Sequence, residues 1–156
     1  MTINALYVHT NLIARDWRGL ARFYQDVLGC VPVPPERDLS GPDMDAGTGI
    51  PGVHLRGMHL RLPGRGADGP TLEVFTYDGL LERPATAVNR PGFGHIAFSV
   101  EDVSGARDEV LAAGGDRVHE SHRAPGLGAV GEDDGHPVVY REEILLFGGQ
   151  GDGHLH

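Results

Sequence analysis

Two histidines occupy matching positions in two apolar segments of the sequence. His9 lies in ALYVHTNLIARDW, residues 5–17, and His95 lies in GFGHIAFSVEDV, residues 92–103. Each is followed by an aspartate at an interval of seven residues. Imidazole is a common metal ligand and an acid or base near neutral pH. A histidine that recurs in this way predicts a metal site or a catalytic site.

Strand alternation brings a carboxylate to the same face as these histidines. In TLEVFTYD, residues 71–78, Leu72 and Val74 are expected to pack under a helix, so Glu73 points to the opposite face. Two imidazoles and one carboxylate suit Fe(II), Mn(II), Co(II), Ni(II) or Zn(II) and leave coordination positions open for a substrate. The ordinary alternative for each residue alone is a histidine held by its neighbours, or a solvated glutamate.

The histidine segments belong to a longer internal repeat. At an offset of 86 residues the matched pairs are His9 and His95, Asp16 and Asp102, Gly19 and Gly105, and Gly29 and Gly115. Each half reads as a strand ending in an aspartate that caps a helix, a helix that stops at glycine, and further strands. We therefore predict an α+β fold of two βαβββ modules, residues 3–80 and 92–148, in a single domain spanning 1–156.

The modules are expected to form a cupped mixed sheet with helices on its convex face and a ligand on its concave face. Leu6, Val8 and Leu12 are predicted to pack under the first helix. The glycine- and proline-rich segments 34–52, 63–70 and 124–137 are predicted to be loops, with a short helical piece in the first and either a lid or a plain connection in the last. A disordered tail is expected at 149–156.

The residues that carry these patterns resemble those of a known superfamily. The segments VHTNLIARDWRGLARFYQDVLGC, GPTLEVFTYD and GFGHIAFSVEDVSGARDEVLAAGG resemble the vicinal oxygen chelate superfamily, which includes glyoxalase I, methylmalonyl-CoA epimerase, extradiol dioxygenases, fosfomycin-modifying enzymes and bleomycin-binding proteins. The resemblance covers nearly the whole chain. It implies a glyoxalase-like fold, a homodimer, and a divalent metal ion held by His9, Glu73 and His95.

The fourth ligand position of that superfamily departs from its usual pattern. Many relatives supply a second glutamate from the last strand, but the corresponding stretch here, VVYREEILLFGG, places Leu145 at that position. Glu143 has the same strand parity but lies two residues away from Leu145, about 7 Å along an extended chain. It would serve as a fourth ligand or catalytic base only after a shift in hairpin register. The alternative is a solvated turn formed by Glu142 and Glu143.

Further residues are expected to line the concave face. His59 and Arg61, in GMHLRLPG, are predicted to point into the pocket as a base or an anion-holding group, or else to have a surface or structural role. Strand parity adds four candidate lining residues: Tyr7, Asn11, Phe75 and Tyr77. The predicted catalytic residues are thus Glu143 and His59.

The composition of the chain narrows the classes of molecule that it could bind. The net charge of −9, without a cluster of Lys and Arg, argues against nucleic acid and anionic lipid. No apolar run approaches the roughly 18 residues that a membrane helix needs. The one cysteine, Cys30, excludes an intramolecular disulfide and is expected in the core. The first residues lack the pattern of a secretory signal, so a cytoplasmic protein with a small-molecule substrate is expected.

Three functions remain open from the sequence. The first is a metal-dependent lyase or isomerase, like glyoxalase or an epimerase, that acts on a small substrate with vicinal oxygens. The second is an Fe(II)-dependent dioxygenase with a 2-His-1-carboxylate site, which would not need the missing fourth ligand. The third is a metal-free resistance protein that sequesters an antibiotic or metabolite in the cup.

Overall fold

The computed structural model describes residues 3–82 and 95–115, together with the backbone of 143–147. The chain divides into two compact units, Met1–Arg83 and Pro84–His156. In the described part of the chain, no helix has the length and apolar character to span a membrane. Helices and a mixed sheet in the first unit confirm the predicted α+β class.

The first unit is a four-stranded sheet with two helices. Its elements in chain order are β1 (His9–Ile13), α1 (Trp17–Asp26), β2 (Val31–Ser40), α2 (Pro42–Thr48), β3 (His54–Arg61) and β4 (Thr71–Tyr77). The strand order is β1-β4-β3-β2. β1 pairs with β4 in parallel, and the other neighbours are antiparallel. The unit is therefore a βαβββ module with α2 inserted after its second strand.

Helix α1 covers one face of this sheet, which we call the helix face. The buried positions of α1 recur at helical spacing, as predicted: Trp17, Ala21 and Tyr24. Leu60, Leu72 and Val74 are the largest fully buried side chains. Gln25 of α1 lies 4.0 Å from the sulfur of Met58, which shares the strand parity of Leu60. These residues form the core of the unit, and Cys30 is buried beside them, as expected.

Both long helices begin with the same cap. The Asp16 carboxylate accepts a hydrogen bond from the Gly19 amide at 2.8 Å, and the Asp102 carboxylate accepts one from the Gly105 amide at 3.1 Å. A Cβ added to either glycine would lie 2.3 Å or 2.4 Å from the capping carboxylate. Glycine is needed at this position because the aspartate side chain folds over it. The repeated spacing of aspartate and glycine is thus a repeated capping motif.

The segment 34–52 differs from the predicted loop. Strand β2 extends from Val31 to Ser40 and includes three prolines, with a register shift between Val33 and Arg37. Proline lacks an N–H and cannot donate a hydrogen bond to a neighbouring strand. It is tolerated in β2 because β2 is an edge strand, with a neighbouring strand on one side only. The short helical piece expected in this segment is confirmed as α2.

The apolar face of the first strand is shorter than predicted. Strand β1 begins at His9, and the preceding Leu6 and Val8 are 88% and 62% exposed. Their predicted packing under α1 is wrong, because the chain joins the sheet only where it pairs with Thr71 of β4. Leu12, in contrast, pairs with the buried Val74 and is itself half-buried.

The second unit contains three described elements: β5 (His95–Ser99), α3 (Val103–Ala112) and β6 (Glu143–Phe147). In β5, Ile96 and Phe98 are half-buried while the alternate residues are exposed, which confirms the predicted parity. β5 and β6 pair antiparallel, whereas the repeat aligns them with β1 and β4, which are parallel. The strands predicted at 117–122 and 138–141, the loop at 124–137 and the tail at 149–156 lie outside the described residues.

Candidate metal and catalytic site

The face of the first sheet opposite α1 carries the candidate residues, and we call it the histidine face. Cross-strand pairing sets Asn11 of β1, Glu73 of β4 and His59 of β3 in one row. The adjacent row contains His9, Thr71 and Arg61. Directly paired residues point to the same side of a sheet. Register alone therefore collects two imidazoles and one carboxylate on this face.

Glu73 is the centre of the cluster, and its side chain is only 15% exposed. His9 Nδ1 lies 3.5 Å from Glu73 Oε1, and His59 Nε2 lies 3.3 Å from the same oxygen. Asn11 Nδ2 donates a hydrogen bond to the other oxygen, Oε2, at 2.9 Å. The amide fixes the carboxylate so that Oε1 points between the two imidazoles.

These separations suit a divalent metal. Nitrogen and oxygen ligands bound about 2.1 Å from one ion lie roughly 3.0–3.4 Å from each other in octahedral or tetrahedral geometry. The distances of His9 and His59 from Glu73 are close to that range. Within residues 3–82 and 95–115, however, no three His, Cys, Asp or Glu side chains form a group that would hold an ion unaided. The donors fit a metal in type and pairwise spacing, and a further ligand is required.

The third predicted ligand belongs to the other unit. His95 begins β5, is exposed, and pairs in register with Phe147 of β6. Leu145 pairs with Ala97, and Glu143 pairs with Ser99. Glu143 is therefore four residues, or about 13 Å, from the His95 position along the strand. The register of β6 does not shift in the direction that would bring Glu143 next to His95.

His59 is set apart electrostatically from an ordinary surface histidine. Burial lowers the pKa of its ring, the Glu73 carboxylate opposes this, and electrostatic repulsion from Arg37 and His9 lowers the pKa further. The ring also packs edge-on against Phe75, with centroids 5.9 Å apart. A lowered pKa keeps the imidazole neutral near pH 7, the form that accepts a proton.

The remaining predicted lining residues separate into two groups. Asn11 and Phe75 contact Glu73 and His59, as described above. Tyr7 precedes β1 and is 60% exposed. Tyr77 lines a different cavity of about 180 Å³, together with Val53, His54 and Asp78. That cavity contains none of the three residues that meet at Glu73.

A second histidine cluster lies on the helix face and was missed from the sequence. His54 Nε2 lies 2.7 Å from Asp38 and Nδ1 lies 2.8 Å from Asp78, which Arg56 also contacts. Hydrogen bonds to Asp38 and Asp78 raise the pKa of His54, and the His54 hydrogen bond lowers the pKa of Asp78. Strand parity would have placed Asp38 on the same face as His54, but the prolines beside Asp38 predicted a loop.

Two solved structures align with nearly three quarters of this chain. A glyoxalase family protein from Bacillus cereus has a similar structure, with 15% identity, a TM-score of 0.62, and coverage of 73% of this chain and 76% of that chain. The fosfomycin resistance protein FosX from Listeria monocytogenes, solved with Mn(II) and sulfate ion, is 17% identical over 72% of this chain and 74% of its own, with a TM-score of 0.42. Among curated proteins, none matches the sequence.

The likeness to the Bacillus cereus protein shows a shared fold. A family model matches residues 6–140, which is most of the chain and includes His9, Glu73 and His95. The chain therefore belongs to the Glyoxalase/Bleomycin resistance protein/Dioxygenase superfamily.

Proposed function

We propose that this chain is a metal-dependent lyase or isomerase of the glyoxalase type, acting on a small substrate with vicinal oxygens. The proposed ligands are His9, Glu73 and His95. The observation that carries the proposal is the 3.5 Å approach of His9 Nδ1 to Glu73 Oε1, two of these ligands on adjacent parallel strands. Partial burial of a carboxylate that has two imidazoles at one oxygen is energetically unfavourable unless a cation binds there.

When bound, a divalent ion supplies Lewis acidity that polarises a substrate oxygen. The residues of the chain have separate tasks around it. Asn11 orients the carboxylate by donating to Glu73 Oε2. His59, kept neutral by burial, accepts a proton from the substrate at an imidazole nitrogen. Phe75 limits the movement of that ring. We assign the role of base to His59 rather than to Glu143, because the β6 register separates Glu143 from His95.

The β6 register also favours a second candidate function. The positions paired with His95 and Ala97 are Phe147 and Leu145, which cannot bind a metal. A site with only His9, Glu73 and His95 has the 2-His-1-carboxylate composition of non-haem Fe(II) oxygenases. We therefore retain an Fe(II)-dependent dioxygenase as the alternative. Oxygen uptake with Fe(II) and a catechol substrate would support it over the lyase or isomerase.

Metal quantification on untagged, full-length protein tests the proposal. His154 and His156 are replaced by alanine in every sample, since terminal histidines bind metals on their own. About one ion per chain is expected, with loss in His9→Ala, Glu73→Gln and His95→Ala. His54→Gln, on the helix face, is the matched control and should retain the ion, as should Glu143→Gln. Full metal content in all of the first three variants would reject the site.

If the parent protein binds no metal, a binding function replaces catalysis. An aromatic antibiotic that binds equally with and without chelator, and equally to His9→Ala, would identify a metal-free sequestering protein. The two measurements together separate an enzyme from a binding protein.

A further inference from the structure

Four charged residues join three strands at one end of the first sheet, and we call them the His54 cluster: His54, Asp38, Asp78 and Arg56. His54 is the first residue of β3, Asp38 lies near the end of β2, and Asp78 directly follows β4. Nε2 of His54 lies 2.7 Å from the Asp38 carboxylate, and Nδ1 lies 2.8 Å from the Asp78 carboxylate. An ionised carboxylate only accepts hydrogen bonds, so both ring nitrogens donate and the ring is protonated.

The two carboxylates of the cluster differ in what else holds them. Arg56 also contacts Asp78, so this carboxylate keeps a cationic partner whatever the charge of the histidine. Within residues 3–82 and 95–115, the Asp38 carboxylate contacts no donor other than His54, and its side chain is 74% exposed. When the histidine loses its charge, Asp78 therefore stays in place, whereas Asp38 is free to turn into water.

The part of the chain that contains Asp38 is weakly packed. We define the edge segment as residues 37–48, which comprise the last part of β2 and helix α2, and none of these twelve residues is buried. β2 is an edge strand, and a register shift between Val33 and Arg37 separates the edge segment from the earlier part of the β2–β3 ladder. Segments that bury little apolar surface open locally at a low free energy. The contact of Asp38 with His54 therefore contributes a large share of what holds the edge segment to β3.

A second aspartate anchors the edge segment from its other end, and it has no titrating partner. Asp45 of α2 accepts hydrogen bonds from the amides of Gly52 and Val53, at 2.8 Å and 3.0 Å, directly before His54. Backbone amides keep their protons across the pH range in which a histidine titrates. Tyr77 also lies beside the cluster, because it lines the same cavity as His54 and Asp78. Histidine is the residue type whose charge ordinarily changes near neutral pH.

We propose that His54 is a pH-sensitive switch: its protonated ring holds the edge segment to β3, and loss of one ring proton frees that segment while the other strands stay paired. The neutral ring keeps its proton on Nδ1, because Arg56 fixes Asp78 beside that nitrogen and a lone pair there would repel the carboxylate. Nε2 then presents its lone pair to Asp38, and this carboxylate turns away into water.

The direction of the switch follows from the contacts of the ring. Hydrogen bonds to Asp38 and Asp78 raise the pKa of His54 above its ordinary value of 6.5. The edge segment is therefore held fully below about pH 6.5 and is released as the pH rises through the raised pKa. The switch does not depend on the proposed reaction, since His54 lies on the helix face and His9 and Glu73 lie on the histidine face.

Hydrogen exchange of the full-length chain, read by mass spectrometry at about pH 5.5 and about pH 9, tests the switch. Rates are divided by those of the unfolded chain at the same pH, which removes the base catalysis of exchange and gives protection factors. Protection of residues 37–48 should fall at least about tenfold at the higher pH, because a hydrogen bond to a charged group is lost. Amides of the central strand β4 should then remain at least about 100-fold better protected than the edge segment. Equal protection of the two at the higher pH would overturn the proposal, since the edge segment would open only with the whole sheet.

Variants of the two contacting residues should abolish the pH dependence. Asp38→Asn and His54→Gln should each give weak protection of the edge segment at both pH values, because neither retains a charged hydrogen bond at this position. The matched control is Asp43→Asn, which removes an exposed carboxylate from the same segment. It should keep the wild-type pH dependence within about twofold. A pH dependence that persists in His54→Gln, or that is lost in Asp43→Asn, would overturn the proposal.

Nitrogen chemical shifts of the His54 ring give an independent readout of the same switch. Above the transition, the wild-type ring should carry its proton on Nδ1, which faces Asp78. A proton found on Nε2 would overturn the proposal, because that nitrogen would still donate to Asp38 and hold the edge segment.

Discussion

His59 Nε2 lies 3.3 Å from Glu73 Oε1, and the two residues are paired on adjacent antiparallel strands. Burial lowers the pKa of the imidazole, the carboxylate opposes this, and the charge of Arg37 lowers the pKa further. Glu73 and Arg37 thus act on the pKa of the same imidazole in opposite directions. Changing each neighbour separately should move the pKa in opposite directions.

We therefore expect Glu73→Gln to lower the pKa of His59 and Arg37→Gln to raise it, because each variant removes one of the two opposing charges. The measurement is an NMR pH titration of the ring protons in metal-free protein. Arg22→Gln, remote from the ring on α1, should leave the titration unchanged. Shifts of the same sign in Glu73→Gln and Arg37→Gln would contradict the arrangement.

The His54 cluster predicts that the stability of the fold depends on pH. In contrast to His59, the pKa of His54 is raised. Both ring nitrogens of His54 contact carboxylate oxygens, at 2.7 Å and 2.8 Å, so both must donate and the ring is an imidazolium. Its pKa is raised above the ordinary value of 6.5. The stabilisation is therefore complete below about pH 6.5 and is lost as the pH rises through the raised pKa.

Urea unfolding of wild type and His54→Gln at about pH 5.5 and about pH 9 measures this contribution. The variant should lose more unfolding free energy at the lower pH, since glutamine cannot offer two charged donors to Asp38 and Asp78. A difference between the two proteins that stays constant with pH would show that His54 is not charged in the folded chain.

The capping motif predicts a sign change in a double-mutant cycle. Asp16→Ala should cost about 0.5–2 kcal/mol, because the Gly19 amide loses its acceptor. Gly19→Ala should also destabilise, since its Cβ would lie 2.3 Å from the Asp16 carboxylate. In the Asp16→Ala background the same Gly19→Ala change should instead stabilise by up to about 1 kcal/mol, because alanine is the better helix former.

Thermal or urea unfolding of the four proteins gives the coupling energy. The pair Asp102 and Gly105 in α3 offers an independent repeat of the cycle, with a Cβ contact of 2.4 Å. Additive effects at both helices would mean that the aspartate and the glycine act separately.

The capping motif is an example of a feature that the sequence alone predicts. Asp16 and Gly19 interact within one turn, so their spacing alone indicates the cap and the start of α1. Alternation likewise placed Glu73 opposite Leu72 and Val74, which are 1% and 0% exposed. These features depend on local geometry, and local geometry is encoded in neighbouring residues.

Features that depend on tertiary context were missed or left open. The prolines of β2 indicated a loop, and only the edge position of that strand explains why they are tolerated. Because residues 34–52 were predicted to form a loop, neither Arg37 nor Asp38 could be assigned to a face of the sheet. The meeting of His95 with His9 and Glu73 depends on packing between modules, which residue spacing does not determine, and it stays a prediction.

Cys30 should be inert in the folded protein. It is 4% exposed, and burial raises the pKa of its thiol to about 11. At about pH 8 only roughly one thiol in a thousand would then be thiolate, compared with about a quarter at the ordinary pKa near 8.5. Labelling with a disulfide reagent should be at least about 100-fold slower in native protein than in urea. Equal rates would place the thiol at the surface.

Gly57, the one glycine within the four strands of the first sheet, should be difficult to replace. A Cβ there would lie 2.1 Å from the Val74 carbonyl oxygen and 2.4 Å from the Phe75 ring, and a strand backbone cannot move aside as a flexible side chain does. We expect Gly57→Ala to cost about 1–3 kcal/mol of unfolding free energy. Gly79→Ala, where nothing lies within 4 Å of the added carbon, should change stability by less than about 0.5 kcal/mol.

Gly57→Ala also tests whether the Phe75 ring positions the His59 imidazole. Phe75 packs against His59 with ring centroids 5.9 Å apart, so a shift of the aromatic ring by a new methyl group should change the His59 chemical shifts and the pKa of the imidazole. Gly79→Ala should alter neither signal. If Gly57→Ala unfolds too easily to study, Phe75→Leu examines the same contact without disturbing the Val74 carbonyl. Unchanged His59 signals in Phe75→Leu would show that the aromatic ring does not position the imidazole.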